Sequence, residues 1–390
     1  MKKLPEYLLV VYSLSGVLSI AVSQAAMGLA AAVALVDRGR RTRFDWRPLG
    51  IEWPLLAWIV ASLLATAFAP DPIGSAGKLK KLVLWAVVFW PPAALWRPWS
   101  IGRLFMTLLF AAGVTSLYGV LTFFLQGGPE MAVRIRGFHG FYLTNSGLLL
   151  LCTFPAILFV GCRELPASRR WGAGIAAAAI LASQFFGALP GAWLGTSVGL
   201  LYLAIFRGYV SGAVVLLIGA VALVLAPPTL RESALDLANP ASYANLDRLE
   251  IWRNGITLFE QRPLTGWGLG DLQPEYARVK SPGAPMEGHM HSVPVHVATS
   301  MGIPGLIALT WLFIGLFRAL GRARRPTRGF LRRVVDAAEG ALVGFLAAGL
   351  LEWNLGDSEI LALLCFLVGV AIAAGRLAPL GDGIAPPREA

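Results

Sequence analysis

Long apolar runs separated by short polar stretches dominate the chain, and most runs approach the roughly 17 to 25 residues that carry a helix across a bilayer. After a first run over 7–35, the candidate spans are 53–68, 81–96, 104–125, 141–160, 172–187, 192–206, 210–225, 293–316, 341–351 and 360–374. Residues 334–340 can extend the span at 341–351 toward its N-terminal end. The first run is too long for one span and is interrupted by Ser23, Gln24 and Gly28. It predicts a helical hairpin, and so about twelve transmembrane helices in all. The expectation is an all-α membrane protein, a single polytopic domain over 1–390 with one long loop at 226–290. Within that loop, Leu249, Trp252, Ile256 and Phe259 recur at helical spacing. They predict an amphipathic helix that lies on the membrane surface or caps a cavity.

Composition agrees with this pattern. Hydrophobic residues make up 56% of the 390 and charged residues 14%, against roughly 25% charged in soluble domains. A net charge of +11 would suggest nucleic acid in a soluble protein. Here Arg and Lys cluster in the loops, where they set orientation instead, and no nucleic-acid partner is expected. If Lys2 and Lys3 are cytoplasmic, strict alternation places about two thirds of the basic residues on that side. This predicts two cytoplasmic termini, a periplasmic long loop and residence in a bacterial inner membrane, in contact with its lipids. The N-terminal run lacks a clean polar stop and reads as retained helices, not as a cleaved signal. Cys152, Cys162 and Cys365 fall in or beside apolar runs, offer no disulfide or zinc spacing, and read as small core residues.

The few charges on the far side deserve individual weighing. Arg134, Arg136, Arg231, Arg248, Arg253, Arg262 and Arg278 stand there with Lys78, Lys80, Lys81 and Lys280. Arginines kept on the side that topology depletes are candidates for an anionic ligand, because guanidinium forks donate paired charge-assisted hydrogen bonds to phosphate or diphosphate oxygens. The alternative is a solvated loop charge or a headgroup contact. Of four histidines, His289, His291 and His296 lie where the loop re-enters the apolar region, and His139 is also on the far side. An imidazole there can take a proton from a hydroxyl at neutral pH, or it can simply pack at a helix start. A zinc site is disfavoured, because His289 and His291 lack an accompanying Cys or acidic ligand at metal spacing. No metal and no cofactor are expected. Glu352, Asn354, Asp357 and Glu359 form the densest acidic group. They suit helix caps and partners of loop arginines better than a divalent-metal pair.

Taken in order, Arg248 and Trp252 precede Arg262-Pro263-Leu264-Thr265-Gly266-Trp267-Gly268-Leu269-Gly270, then His291-Ser292, then Gly302-Ile303-Pro304-Gly305-Leu306. This order resembles the O-antigen ligase and polymerase superfamily, with its Arg and Trp, Pro-x-x-Gly-x-Gly turn, His-Asn or His-Ser, and Gly-x-x-Gly-Leu. The stretch from Arg136-Gly137-Phe138 to Asn145 is similar to the family's other external arginine loop, and 352–357 to its closing segment. The resemblance implies a membrane-embedded, C-type glycosyltransferase fold acting without metal on undecaprenyl-diphosphate-linked glycans. The acceptor would be lipid A-core or another glycan. It implies that His291 acts near the acceptor hydroxyl and that Arg248 and Arg136 hold the diphosphate, with His289, Arg134, Arg262, Glu352 and Asp357 in support. A repeat-unit polymerase uses the same donor. A lipid-glycan flippase or exporter is the alternative of another class, but it would be expected to line its spans with charge. One departure stands out: the family's Ser-Arg-Gly before a central helix is matched here by 188–194, with Pro190 in the arginine's place. Either Arg134 or one of Lys78, Lys80 and Lys81 substitutes for it, or this member has diverged.

Overall fold

The computed structural model describes residues 4–39, 48–128, 134–239 and 241–381. They are helical throughout, with no strand among them. The helices are α1 (Leu4–Ser15), α2 (Ile20–Gly39), α3 (Glu52–Ala67), α4 (Pro72–Ala76), α5 (Trp90–Ala94), α6 (Pro98–Leu125), α7 (Tyr142–Val160), α8 (Ala167–Gly187), α9 (Pro190–Arg207) and α10 (Val210–Val224). They continue as α11 (Pro228–Ala238), α12 (Tyr243–Gln261), α13 (Gln273–Val279), α14 (Val293–Arg324), α15 (Gly329–Ala348) and α16 (Ser358–Leu377). The expected N-terminal hairpin is the pair α1 and α2.

Four segments are long and apolar enough to cross a membrane: Pro98–Leu125, Tyr142–Val160, Val293–Arg324 and Ser358–Leu380. Three shorter apolar helices accompany them at Ile20–Ala30, Glu52–Ala67 and Val210–Val224. The outer faces carry bare apolar side chains such as Phe110, Leu121, Ile205, Phe206, Leu217, Val224 and Ile307. An exposed apolar belt of this kind marks a surface meant for a non-aqueous solvent. The run at 81–96 differs from expectation. It forms a 3-10 helix, Leu79–Phe89, followed by the short α5. Pro91 and Pro92 prevent a continuous α-helix, since proline lacks the amide hydrogen and clashes with the preceding turn. The segment packs closely on α16, where a Cβ built on Gly369 would stand 2.7 Å from the Val88 carbonyl.

α16 is the centre of the bundle: every residue from Ile360 to Gly375 is buried. The 3-10 segment, α14, α15 and α7 pack around it, and α9 joins the bundle by packing on α15 and α7 through small residues. Gly191, Gly195 and Gly199 recur every fourth position on α9, facing Gly340, Gly344 and Ala348 of α15. A Cβ on Gly195 would lie 2.5 Å from the Gly344 carbonyl, and one on Gly199 would lie 2.4 Å from the Phe154 ring. Where lipid is as apolar as leucine, helix association depends on such close backbone approach and on interhelical polar contacts. A polar clamp adds to it: Gln184 Nε2 donates to Thr153 Oγ1 at 2.7 Å and Thr196 Oγ1 donates to Gln184 Oε1 at 2.6 Å, joining α7, α8 and α9. Gly199→Leu is expected to cost about 1 to 3 kcal/mol through overpacking, seen as a lower thermal midpoint in detergent. An unchanged midpoint would mean that the two helices can separate freely.

The ends of the bundle differ in chemistry. At one end, arginines bond backbone carbonyls and buried acids: Arg322 to the Leu49 carbonyl, Arg333 to the Leu158 carbonyl, Arg324 to Asp336 and Arg207 to Glu339. At the other lie the starts of α9, α14 and α16, the end of α15, and the segment holding α11, α12 and α13.

Candidate functional site

The glycine-rich turn and the helix that follows it are two halves of one device. α14 is broken at Gly302, whose φ of 65° and ψ of −160° no side-chain-bearing residue adopts readily. A break frees backbone groups that, at membrane depth, must be satisfied inside the protein. The turn supplies the partners: Trp267 N–H donates to the Thr299 carbonyl at 3.0 Å, Gly268 N–H to the Ser300 carbonyl at 2.9 Å, and Ile303 N–H to the Pro263 carbonyl at 2.8 Å. Gly266, at φ 65°, comes so close that an added Cβ would sit 2.3 Å from the Ser300 carbonyl group. Arg262 anchors the turn, stacking on the Trp267 ring at 4.3 Å and donating to the Phe68 carbonyl at 3.1 Å. Its role is therefore to hold the turn against α3.

α12 packs over this junction. The expected helix is present, but its buried stripe is Ile251, Asn254, Gly255 and Leu258. Leu246, Leu249 and Ile256 point outward and are exposed. Of the apolar positions read from the sequence, Leu249 and Ile256 thus belong to the outer face and Trp252 packs on the buried cluster, while a small residue, Gly255, allows contact with Met290 and Val295. Arg248 lies half-buried near the start of α12, its Nη1 donating to Asn245 Oδ1 at 3.3 Å.

His291 precedes α14 with φ 44°, one of two non-glycine residues in the left-handed region among the described residues. Such a conformation in a non-glycine residue persists only where the surroundings hold it. Its Nε2 is 3.3 Å from Glu287 Oε2, and its ring centroid is 4.2 Å from that of His289. Glu287 corrects the expectation that the two histidines have no acidic neighbour. The three residues are close in sequence, and it is the bends at 288–289 and 291–292, with the left-handed backbone of His291, that bring their side chains together. Burial lowers the pKa of His289, with the neighbouring His291 adding to the effect.

Glu352 completes the group. It lies against Gly191, where a Cβ would be 2.5 Å from its Cγ, so the glycine at the start of α9 makes room for it. Burial raises its pKa while the charges of His291 and Arg248 pull it down, which places all three within electrostatic reach of one another. Asp357 instead caps α16, accepting from the N–H groups of Glu359 and Ile360 at 3.0 and 3.1 Å and from Thr144 Oγ1 at 2.5 Å. The cap reading from the sequence holds for it. Arg136 is exposed, and among the described residues no hydrogen bond or ion pair joins it to the His291 group. Arg134 comes to the stretch that departs from the family: its Nη1 donates to the carbonyls of Gly187 at 3.2 Å and Ala188 at 3.4 Å, beside Pro190. His139 is remote from the loop histidines, close to Val17 and Asp357, and burial lowers its pKa.

Next to the histidines is a cavity of about 450 Å³ whose lining includes Lys78, Lys81, His289, His296, Trp353 and Asp271, with Trp58 and Trp85. His296 stacks on Trp353 at 3.9 Å between centroids, and Lys81 Nζ donates to the Gly356 carbonyl. Cations and aromatic walls in one cavity suit a ligand with an anionic head and an apolar body.

These features define an all-helical protein with candidate membrane spans and one polar, cationic site at an end of its bundle. Residues 175–310, about a third of the chain, match the family model described as O-Antigen ligase. The chain is thus similar to the O-antigen ligase superfamily over the stretch that holds Arg248, the glycine turn, His291 and the break at Gly302. No curated protein matches it.

Proposed function

We propose that this protein is a multi-pass inner-membrane glycosyltransferase of lipopolysaccharide or related polysaccharide assembly. It moves a glycan from an undecaprenyl-diphosphate donor to lipid A-core or another glycan acceptor at the periplasmic face. In this reading 1–390 is one polytopic domain of about twelve spans with cytoplasmic termini, and 226–290 is its external loop. The observation that carries it is the placing of His291, 4.2 Å between ring centroids from His289, at the edge of a cavity lined by His289, Lys78 and Lys81, in the stretch that matches the ligase family and also holds Arg248.

The chemistry follows from the groups. His291 accepts the proton of the acceptor hydroxyl as its oxygen attacks the anomeric carbon. The bond from that carbon to the diphosphate oxygen breaks, and the diphosphate leaves with the electron pair. Arg248, aided by Lys78 and Lys81, compensates the anion, so stabilisation is greatest where charge develops. Arg136 stands further out as a weaker contact for the same anion, and Arg134 supplies positive charge beside Pro190. No step calls for a metal.

Arg248→Ala is expected to reduce transfer about a hundredfold. The measurement is lipid-attached surface glycan, alongside accumulation of the undecaprenyl-linked precursor, in cells whose only copy carries the variant. Normal display with no precursor build-up would remove Arg248 from the site. Full-length glycan stranded on the precursor indicates ligation, whereas single unpolymerised units indicate polymerisation.

A further inference from the structure

We propose that Glu287, His289 and His291 form a binding site for a divalent transition-metal ion of the zinc class. Their ligand atoms already converge: Glu287 Oε2 lies 3.3 Å from His291 Nε2 and 3.9 Å from His289 Nδ1, and all three ligand atoms fall within 4.8 Å of one another. Tetrahedral zinc with bonds of about 2.0 to 2.1 Å requires ligand atoms about 3.3 Å apart, so small side-chain rotations bring the set into register. Two imidazoles and one carboxylate favour zinc, nickel, copper or cobalt over magnesium or calcium, which prefer all-oxygen shells.

The surroundings also suit a bound cation. The three side chains are between 25% and 38% exposed, which leaves an entry path and a position open for water. Gly288, between two of the ligands, has no side chain, and Asp271 takes the space, its Oδ1 2.6 Å from where a Cβ would be. Asp271 lines the same cavity as His289 and adds negative charge near the site. The left-handed backbone at His291 (φ 44°) and its proximity to the cavity wall at His289 fix the pair at the cavity's edge. This site does not depend on the transferase reading. It does carry a consequence for it: ligation uses the Nε2 lone pair of His291, so a bound ion would withhold that imidazole from proton transfer.

The test uses the full chain purified in detergent and stripped with a chelator. Calorimetric titration with Zn²⁺, together with the visible absorption of added Co²⁺, reads binding without reference to activity. One equivalent per chain is expected. His289→Gln, Glu287→Gln and His291→Asn should each weaken it about 10- to 100-fold or more, while His139→Gln leaves it unchanged. Elution profile and thermal midpoint identify any variant that has lost its fold, and Glu287→Asp, which keeps a carboxylate, should retain part of the affinity. No saturable binding by the folded wild type, or equal binding by the three variants, overturns the proposal. Separately, zinc-saturated protein should lose transfer activity and regain it with chelator. Full activity with the site filled would remove His291 from the transfer chemistry and leave the metal site standing.

Discussion

Replacing His291 by Asn is expected to lower glycan transfer about 10³-fold, within the range that a positioned general base contributes, while the chain still inserts and folds. Asparagine is the informative choice because the backbone at this position is left-handed, with φ 44°, a region that Asn tolerates better than most residues. Alanine would mix the loss of the imidazole with backbone strain of about 1 to 3 kcal/mol. The assay is transfer from a labelled lipid-linked donor in membranes, with a thermal midpoint on the same preparation. Loss of transfer with an unchanged midpoint identifies a chemical role. Wild-type transfer by the Asn variant would leave His291 as a packing residue at the start of α14 and defeat the assignment.

Asp336→Ala is expected to destabilise the chain by about 3 kcal/mol. Asp336 is fully buried on α15. Its Oδ1 accepts from Arg324 Nε at 2.6 Å and its Oδ2 from the Tyr209 hydroxyl at 2.7 Å, while Arg207 stands 3.9 Å away. It therefore ties α15 to the ends of α9 and α14. Removing one member of a buried pair costs roughly 3 to 5 kcal/mol because the partners lose compensation. The lower end applies, since the side chains of Arg207 and Arg324 are 23% and 29% exposed and keep some water. The readout is the midpoint of thermal unfolding in detergent. Combining Asp336→Leu with Arg324→Met should restore part of the loss, because a buried ion pair replaced by apolar residues of similar volume is close to neutral. If Asp336→Ala melts with the wild type, the buried network does not hold the bundle.

Several parts of this picture were legible before any coordinates. The apolar runs predicted helices at nearly every place where one occurs, because a 3.6-residue element that must shield its backbone from lipid needs a continuous apolar stretch. The run over 7–35 does divide into two helices, α1 and α2, but the break falls at Gly16–Ser19, and Ser23, Gln24 and Gly28, where the interruption was expected, lie inside α2. The cysteines proved buried and free, and Asp357 proved to be a cap. The run at 81–96 was misjudged because hydropathy does not register how two prolines and a neighbouring glycine let an irregular segment pack on α16.

The candidate site was harder to read. Arg262 carried the same charge as Arg248 and stood nearer the motif, yet it serves as a turn anchor on Trp267 and Phe68, and only contact geometry separates the two. The four apolar positions expected on α12 divide between its faces, Leu249 and Ile256 exposed and Trp252 packed on the buried cluster, because in a membrane protein an apolar face can point outward as readily as inward. The four-residue glycine repeat of α9 implies a close helix pair by its spacing, and the structure shows which helix it meets. Glu287 meets the histidines across a bent, non-helical stretch, so helical spacing along the sequence carries no sign of the group.

By itself, the sequence determined that this is a helical membrane-type chain, that its histidines gather at one re-entry point, and that the order of Arg248, the glycine turn and His291 resembles a ligase. These are properties of composition and of order along the chain. Only the tertiary structure decided which charges meet. It placed Glu287 beside His291, Glu352 within reach of Arg248, Arg134 at the gap left by Pro190, and Lys78 and Lys81 in the cavity. Those groups come from segments separated by up to some 275 positions along the chain. Their meeting depends on how glycine-lined helices pack and on where α14 breaks, and neither is a local property of the residues concerned.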